Sequence, residues 1–128
     1  MLKLVKDKEI KIALIGASSD KSKFGYKIYR NLLSKGYDVT PINPKNIRID
    51  GITSLSCVSE MKESPDIIDF VIPPVQAFSE AKKLSNEGYN NFWFQPGSES
   101  EELTKYLDNL NINYLTNECI MTETNPWN

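Results

Sequence analysis

The chain has no histidine. That absence excludes Ser-His and Cys-His nucleophile pairs, histidine-ligated zinc and a phosphohistidine intermediate within these residues. Cysteine is scarce. Cys57 and Cys119 stand in no paired metal-ligand spacing and fit a reducing compartment. No apolar run approaches the roughly 18 residues of a membrane span. The opening MLKLVKDKEI is broken by charges and lacks the apolar core of a signal peptide, so the cytoplasm is the expected location. Neither sign of charge dominates. Fifteen basic and 17 acidic residues leave a formal net charge of −2, which argues against a broad footprint for nucleic acid or an anionic membrane.

What is present is a repeating alternation. At 128 residues the chain is long enough for one domain with a real core and too short for two ordinary ones. Residues 1–10 read as a polar lead-in, 11–121 as the domain and 122–128 as a polar tail containing Trp127. The stretch from Lys11 to Lys35 sets the pattern: the apolar run Ile12-Ala13-Leu14-Ile15, the small residues Gly16-Ala17-Ser18-Ser19, then apolar positions at helical spacing, Phe24, Ile28, Leu32 and Leu33. Gly36 stops that helix. Further strands are expected at 37–42, 67–72, 89–94 and 112–115. A helix at 75–87 should bury Val75, Phe78, Ala81 and Leu84. Another should start at Ser98, with Glu101 completing a capping box, and bury Leu103, Tyr106, Leu107 and Leu110. Residues 45–57 read as irregular, with one helical turn at 58–62.

Strands alternating with helices predict an α/β fold: a five-stranded, mostly parallel sheet with helices on both faces. The strand-end clusters Gly-Ala-Ser, Asn-Pro, Pro-Pro, Gln-Pro-Gly and Asn-Glu-Cys would then gather at one edge. Ligands bind there in open parallel sheets, and a helix amino terminus can hold a phosphate. The dinucleotide fingerprint is not satisfied. Ser18 stands where a second glycine belongs, Gly25 lies nine positions after Gly16, and the second strand ends in Asn43-Pro44 with no carboxylate for a ribose. NAD is therefore disfavoured. The residues by themselves indicate a phosphate-bearing ligand at a strand–helix turn.

An ordered set of motifs narrows that reading. Gly16-Ala17-Ser18, Lys23-x-Gly25-Tyr26-Lys27, Ile42-Asn43-Pro44, Ile49-x-Gly51, Pro73-Pro74, Trp93-Phe94-Gln95-Pro96-Gly97 and Asn117-x-Cys119-Ile120-Met121 follow one another. With them the chain resembles the small single-domain CoA-binding proteins, which look like the CoA-binding domain of the succinyl-CoA synthetase alpha subunit. The resemblance implies a Rossmann-like three-layer fold that holds CoA or an acyl-CoA at the carboxyl edge. It places Gly16, Ala17, Ser18 and Ser19 at the pyrophosphate, and Lys23, Gly25 and Tyr26 beside the phosphates. Asn43, Pro44 and Lys45 fall near the adenosine, Ile72 and Pro73 at the adenine or the pantetheine arm. Gln95, Pro96, Gly97 and Cys119 lie farther along the edge. The family often has a cation just before the late cysteine, where this chain has Glu118.

Plainer accounts stand beside several of these residues. Lys21 and Lys23 are phosphate partners or solvated surface charges; Tyr26 reaches a ligand or packs on its own helix. Cys119 is a thiol partner of the ligand or, better supported with no base nearby, a small buried residue. Phe92-Trp93-Phe94 reads as core rather than an aromatic platform, and Asp66 with Asp69 as separate acids rather than a dyad. The expected function is a CoA-binding or regulatory module without catalytic chemistry, with no metal and with a homo-oligomer or protein partner left open. The alternatives are a nucleotide-dependent transferase or NAD(P)-type reductase using the same edge, or a fold turned to protein interaction.

Overall fold

Five short segments pair into one parallel sheet, the three inner ones buried on both faces. In the computed structural model, which describes residues 1–124, the chain opens with a 3-10 turn at Leu4–Lys6. Then come β1 (Lys11–Ile15), α1 (Phe24–Ser34), β2 (Asp38–Ile42) and a hairpin of β3 (Arg48–Ile49) and β4 (Ile52–Thr53). A second 3-10 turn at Val58–Glu60 precedes β5 (Ile67–Phe70). The chain continues with α2 (Pro74–Asn86), β6 (Phe92–Phe94), α3 (Glu101–Leu110), β7 (Tyr114–Leu115) and α4 (Ile120–Glu123). Trp127 lies outside the described residues.

The sheet order is β2-β1-β5-β6-β7, and every neighbouring pair is parallel. The chain therefore steps outward from β1 to β2, then returns to β1's other edge with β5. That reversal opens a crevice at the carboxyl ends of β1 and β5. Register places Ile15 beside Ile42 on one side and Phe70 on the other.

Alternation along each strand sends side chains to two separate layers. Ile12, Leu14, Ile67 and Trp93 pack with Ile28, Tyr29 and Leu32 of α1 and Ile120 of α4. Ala13, Ile15, Ile68, Phe70, Phe92 and Phe94 pack with Ala77, Ala81 and Leu84 of α2 and with Leu103 and Leu107 of α3. The Phe92-Trp93-Phe94 run is thus core on both faces, as its parallel-strand context predicts.

Several expected boundaries shift for local reasons. The third sheet strand stops at Phe70 rather than Ile72, and Val71 donates back to the Ile15 carbonyl as the chain turns towards Pro73. The fourth begins at Phe92 rather than Tyr89, after a helix-terminating bond from Tyr89 N–H to Leu84 and a left-handed Asn91. Ser98 is buried and accepts from Ile72 N–H, so the cap of α3 falls to Ser100, whose Oγ accepts from Leu103 N–H at 3.2 Å. Among the expected core residues, Phe24 is 62% and Val75 83% exposed. Both sit in first helical turns, where the helices begin near the carboxyl edge. The buried stripe of α2 is Ala77, Ala81 and Leu84 instead. Leu110 is also exposed, and Tyr106 packs edge-on against Phe78.

The lead-in and tail both join the α1 layer. Val5 is fully buried, and its carbonyl accepts the Tyr37 hydroxyl at 2.6 Å. Lys35, at the end of α1, donates to the Met121 carbonyl and to Thr124 Oγ1, and burial lowers its ammonium pKa. Asp69 sits in the same layer, level with Leu14 and Trp93, fully buried with neither oxygen hydrogen-bonded. Desolvation raises its carboxyl well above the usual range. Asp66 instead accepts from Lys11 N–H, so the two acids form no dyad.

Candidate functional site

The crevice is shaped by two glycines in contact. Gly16 ends β1 with φ +98°, and its N–H donates to the Ile42 carbonyl at 3.2 Å. A Cβ there would lie 2.2 Å from the Val71 carbonyl oxygen. A Cβ on Gly25 would lie 2.0 Å from the Gly16 carbonyl oxygen. These residues are glycine because the first turn of α1 rests directly on the end of β1. The N–H groups of Phe24 and Gly25 have no intrahelical acceptor and lie beside the strand switch.

The intervening loop is held by its own side chains. Ser18 Oγ accepts from Asp20 N–H at 3.0 Å; Asp20 accepts from both the N–H and hydroxyl of Ser22, which lowers its carboxyl pKa. Ala17 is buried in the α1 layer, and its carbonyl accepts from Asn43 Nδ2 at 2.9 Å. Asn43 Oδ1 accepts from Lys45 N–H, so this one side chain ties the ends of β1 and β2 together. Ser19 and Lys23 are exposed.

Two openings meet at this point, sharing Gly16 and Ile72. The smaller, about 270 Å³, is lined by Gly16, Lys23, Gly25, Ile72, Pro73, Pro96 and Gly97, among others. The larger, about 520 Å³, has Asn43, Pro44 and Lys45 on one wall and α2 on the other. Its volume falls in the range of roughly 300–1,000 Å³ usual for small-molecule sites. A groove of about 620 Å³ between α2 and α3 is larger still but includes no residue of the strand switch.

Of the expected site residues, Gly16, Lys23, Gly25, Asn43, Pro44, Lys45, Ile72, Pro73, Pro96 and Gly97 line one or both openings. Ala17, Ser18, Ser19, Tyr26, Gln95 and Cys119 line neither. Tyr26 donates to Asp50 Oδ2 at 2.8 Å, a bond that raises its phenol pKa, and Arg30 pairs with the same carboxylate. That pair fastens α1 to the β3–β4 turn. Gln95 is buried: its Nε2 donates to Cys119 Sγ at 3.3 Å and its Oε1 accepts from Ile120 N–H. It docks α4. The Arg48 guanidinium donates to the Gly51 carbonyl. Sequence reasoning missed Ser56, Cys57 and Val58, and the α2 stripe of Gln76, Glu80, Lys83 and Glu87, all in the larger opening. The stripe's four-three-four spacing is visible in the sequence as one face of a helix. Among the described residues no three His, Cys, Asp or Glu side chains gather as a metal site.

The model for the CoA binding domain matches residues 10–125. The chain belongs to this CoA-binding domain family. The family member aligns at 35% identity with the alpha subunit of acetate–CoA ligase (ADP-forming) II of Pyrococcus furiosus, over 48% of this chain and 14% of that protein. An acetate–CoA ligase (ADP-forming) of Methanocaldococcus jannaschii is 36% identical over half of this chain and 9% of its own. The chain thus spans a small part of the curated relatives it matches first. A solved structure, a conserved hypothetical protein from Pyrococcus furiosus, superposes with a TM-score of 0.85 at 42% identity, over 90% of this chain and 99% of that one. The α/β Rossmann-like architecture is shared with it.

Proposed function

We propose that the protein binds CoA or an acyl-CoA across the two openings, as a binding or regulatory module without chemistry of its own. The contact of Gly25 with the Gly16 carbonyl carries this reading, because it presses unpaired helix N–H groups against the strand switch. The pyrophosphate lies over Gly16 and the amino end of α1, with Lys23 as its point charge. The adenosine lies in the larger opening beside Asn43, Pro44 and Lys45. The pantetheine arm runs over Ile72 and Pro73 towards Pro96 and Gly97. Ser18 and Asn43 shape this loop, while Tyr26 and Gln95 brace the elements around it. Cys57 lines the larger opening; its Sγ lies 3.1 Å from the Ser59 hydroxyl and also meets the Glu60 carboxylate, whose pKa the hydrogen bonds from Ser56 and Cys57 lower, which makes it a weak base for a thiol. Family membership supplies the word CoA.

Calorimetric titration with CoA, and with NAD and ATP in parallel, tests the reading. Saturable CoA binding that exceeds NAD binding, and that weakens in Lys23→Ala, is the expected result. A folded protein that takes up no CoA at high micromolar concentration overturns it.

A further inference from the structure

The larger opening has a charge pattern that the pyrophosphate loop does not explain. Lys45 enters it from the loop after β2 and Lys83 from α2, on the opposite wall. Glu80 and Glu87 share the Lys83 stripe, at the spacings where a helix usually forms ion pairs. Lys83 pairs with neither, and none of the four ion pairs among the described residues uses Lys45 or Lys83. Both lysines are exposed and line the same opening. Arg48 does not line the opening and donates to the Gly51 carbonyl.

Two cations on facing walls suit a compact dianion better than a sugar hydroxyl or a base edge, which the carboxylates and Gln76 would serve. A single lysine would be offset by Glu80 and Glu87; a dianion needs the second cation. We infer that Lys83, acting across the opening from Lys45, recognises the 3′-phosphate of the adenosine part and so discriminates CoA from dephospho-CoA. This assignment rests on the CoA reading above. It makes α2, not only the two strand-end loops, a determinant of ligand choice.

The test is calorimetry of CoA and dephospho-CoA with the native chain, Lys83→Ala and Lys83→Arg, at low and high salt. Lys83 is exposed on a helix surface, so thermal melting of both variants should match the native chain. Expected is a native preference for CoA. Lys83→Ala weakens CoA by about tenfold, the size of a charge-assisted contact at an exposed site, and leaves dephospho-CoA within about twofold. Lys83→Arg restores most of the preference, and added salt reduces it. If Lys83→Ala changes both ligands equally, or neither, the inference fails while the CoA reading stands. If the native chain binds neither ligand, the CoA reading fails and takes this assignment with it.

Discussion

The two faces of the sheet are built differently. On the α2 and α3 side the contacts are aromatic and aliphatic: Phe70 stacks on Phe94 with centroids 4.5 Å apart and meets Phe92 edge-on at 5.3 Å. On the α1 and α4 side an equally buried layer of Ile12, Leu14, Ile28, Leu32 and Trp93 is joined by directed bonds and close backbone contacts. Gly25 rests on Gly16, Trp93 Nε1 donates to the Glu118 carbonyl at 2.8 Å, Gln95 holds α4, and Asp69 is buried unpaired. The apolar face supplies cohesion. The polar face supplies position, fixing the amino end of α1 against β1. The larger opening lies on the cohesive side, against α2, and reaches Gly16.

Breaking the apolar face should cost most. Phe94→Ala removes a fully buried ring from a stacked cluster and should lower unfolding free energy by about 3–5 kcal/mol in urea titrations. Gly25→Ala strikes the positioning face. Its Cβ meets a backbone carbonyl that cannot rotate away, so a loss of about 3 kcal/mol is expected. In that variant CoA affinity should fall even at temperatures where circular dichroism shows it folded. An unaltered affinity would separate the helix contact from the site.

Asp69 gives the polar face a pH signature. Its folded-state carboxyl holds a proton more tightly than the unfolded chain, where aspartate titrates near pH ~4. Its stabilising contribution is complete below that value and is lost as pH rises through the elevated folded value, at up to about 1.4 kcal/mol per pH unit. Denaturation midpoints across this range should therefore fall in the native chain and flatten in Asp69→Asn. A parallel fall in both proteins would assign the dependence to other groups. The smallest effect is expected from Tyr26→Phe, which cuts one half-exposed bond to the β3–β4 turn: under about 1 kcal/mol in the same titrations, with faster amide exchange confined to residues 48–53.

Much of this was legible beforehand. The period change between Ile15 and Phe24, and each strand-end cluster, located the sheet, its helices and the crevice, because burial on both faces demands continuous apolar runs. The β3–β4 hairpin was overlooked although Asp50-Gly51 between Ile49 and Ile52 is a recognisable turn; both adopt positive φ, +48° and +88°. Two-residue strands leave too little alternation to notice. The helix faces were misplaced where residues overhang the edge, as with Phe24 and Val75, since periodicity cannot say where a layer ends. The resemblance places Gln95 and Tyr26 at the ligand, and the residues alone leave open whether such a side chain touches a guest or a neighbouring element. Their partners, Ile120 and Asp50, are distant in sequence or in an unrecognised turn.

The strand order also sets a timetable. β1 lies between β2 and β5 in the sheet. The β1–α1–β2 unit can form from neighbouring sequence, but the second edge waits for a segment 55 positions downstream, as the bond from Lys11 N–H to Asp66 marks. Until β5 is made, β1 therefore presents an unpaired backbone edge, and non-local pairing of this kind as a rule forms slowly and exposes a sheet to aggregation.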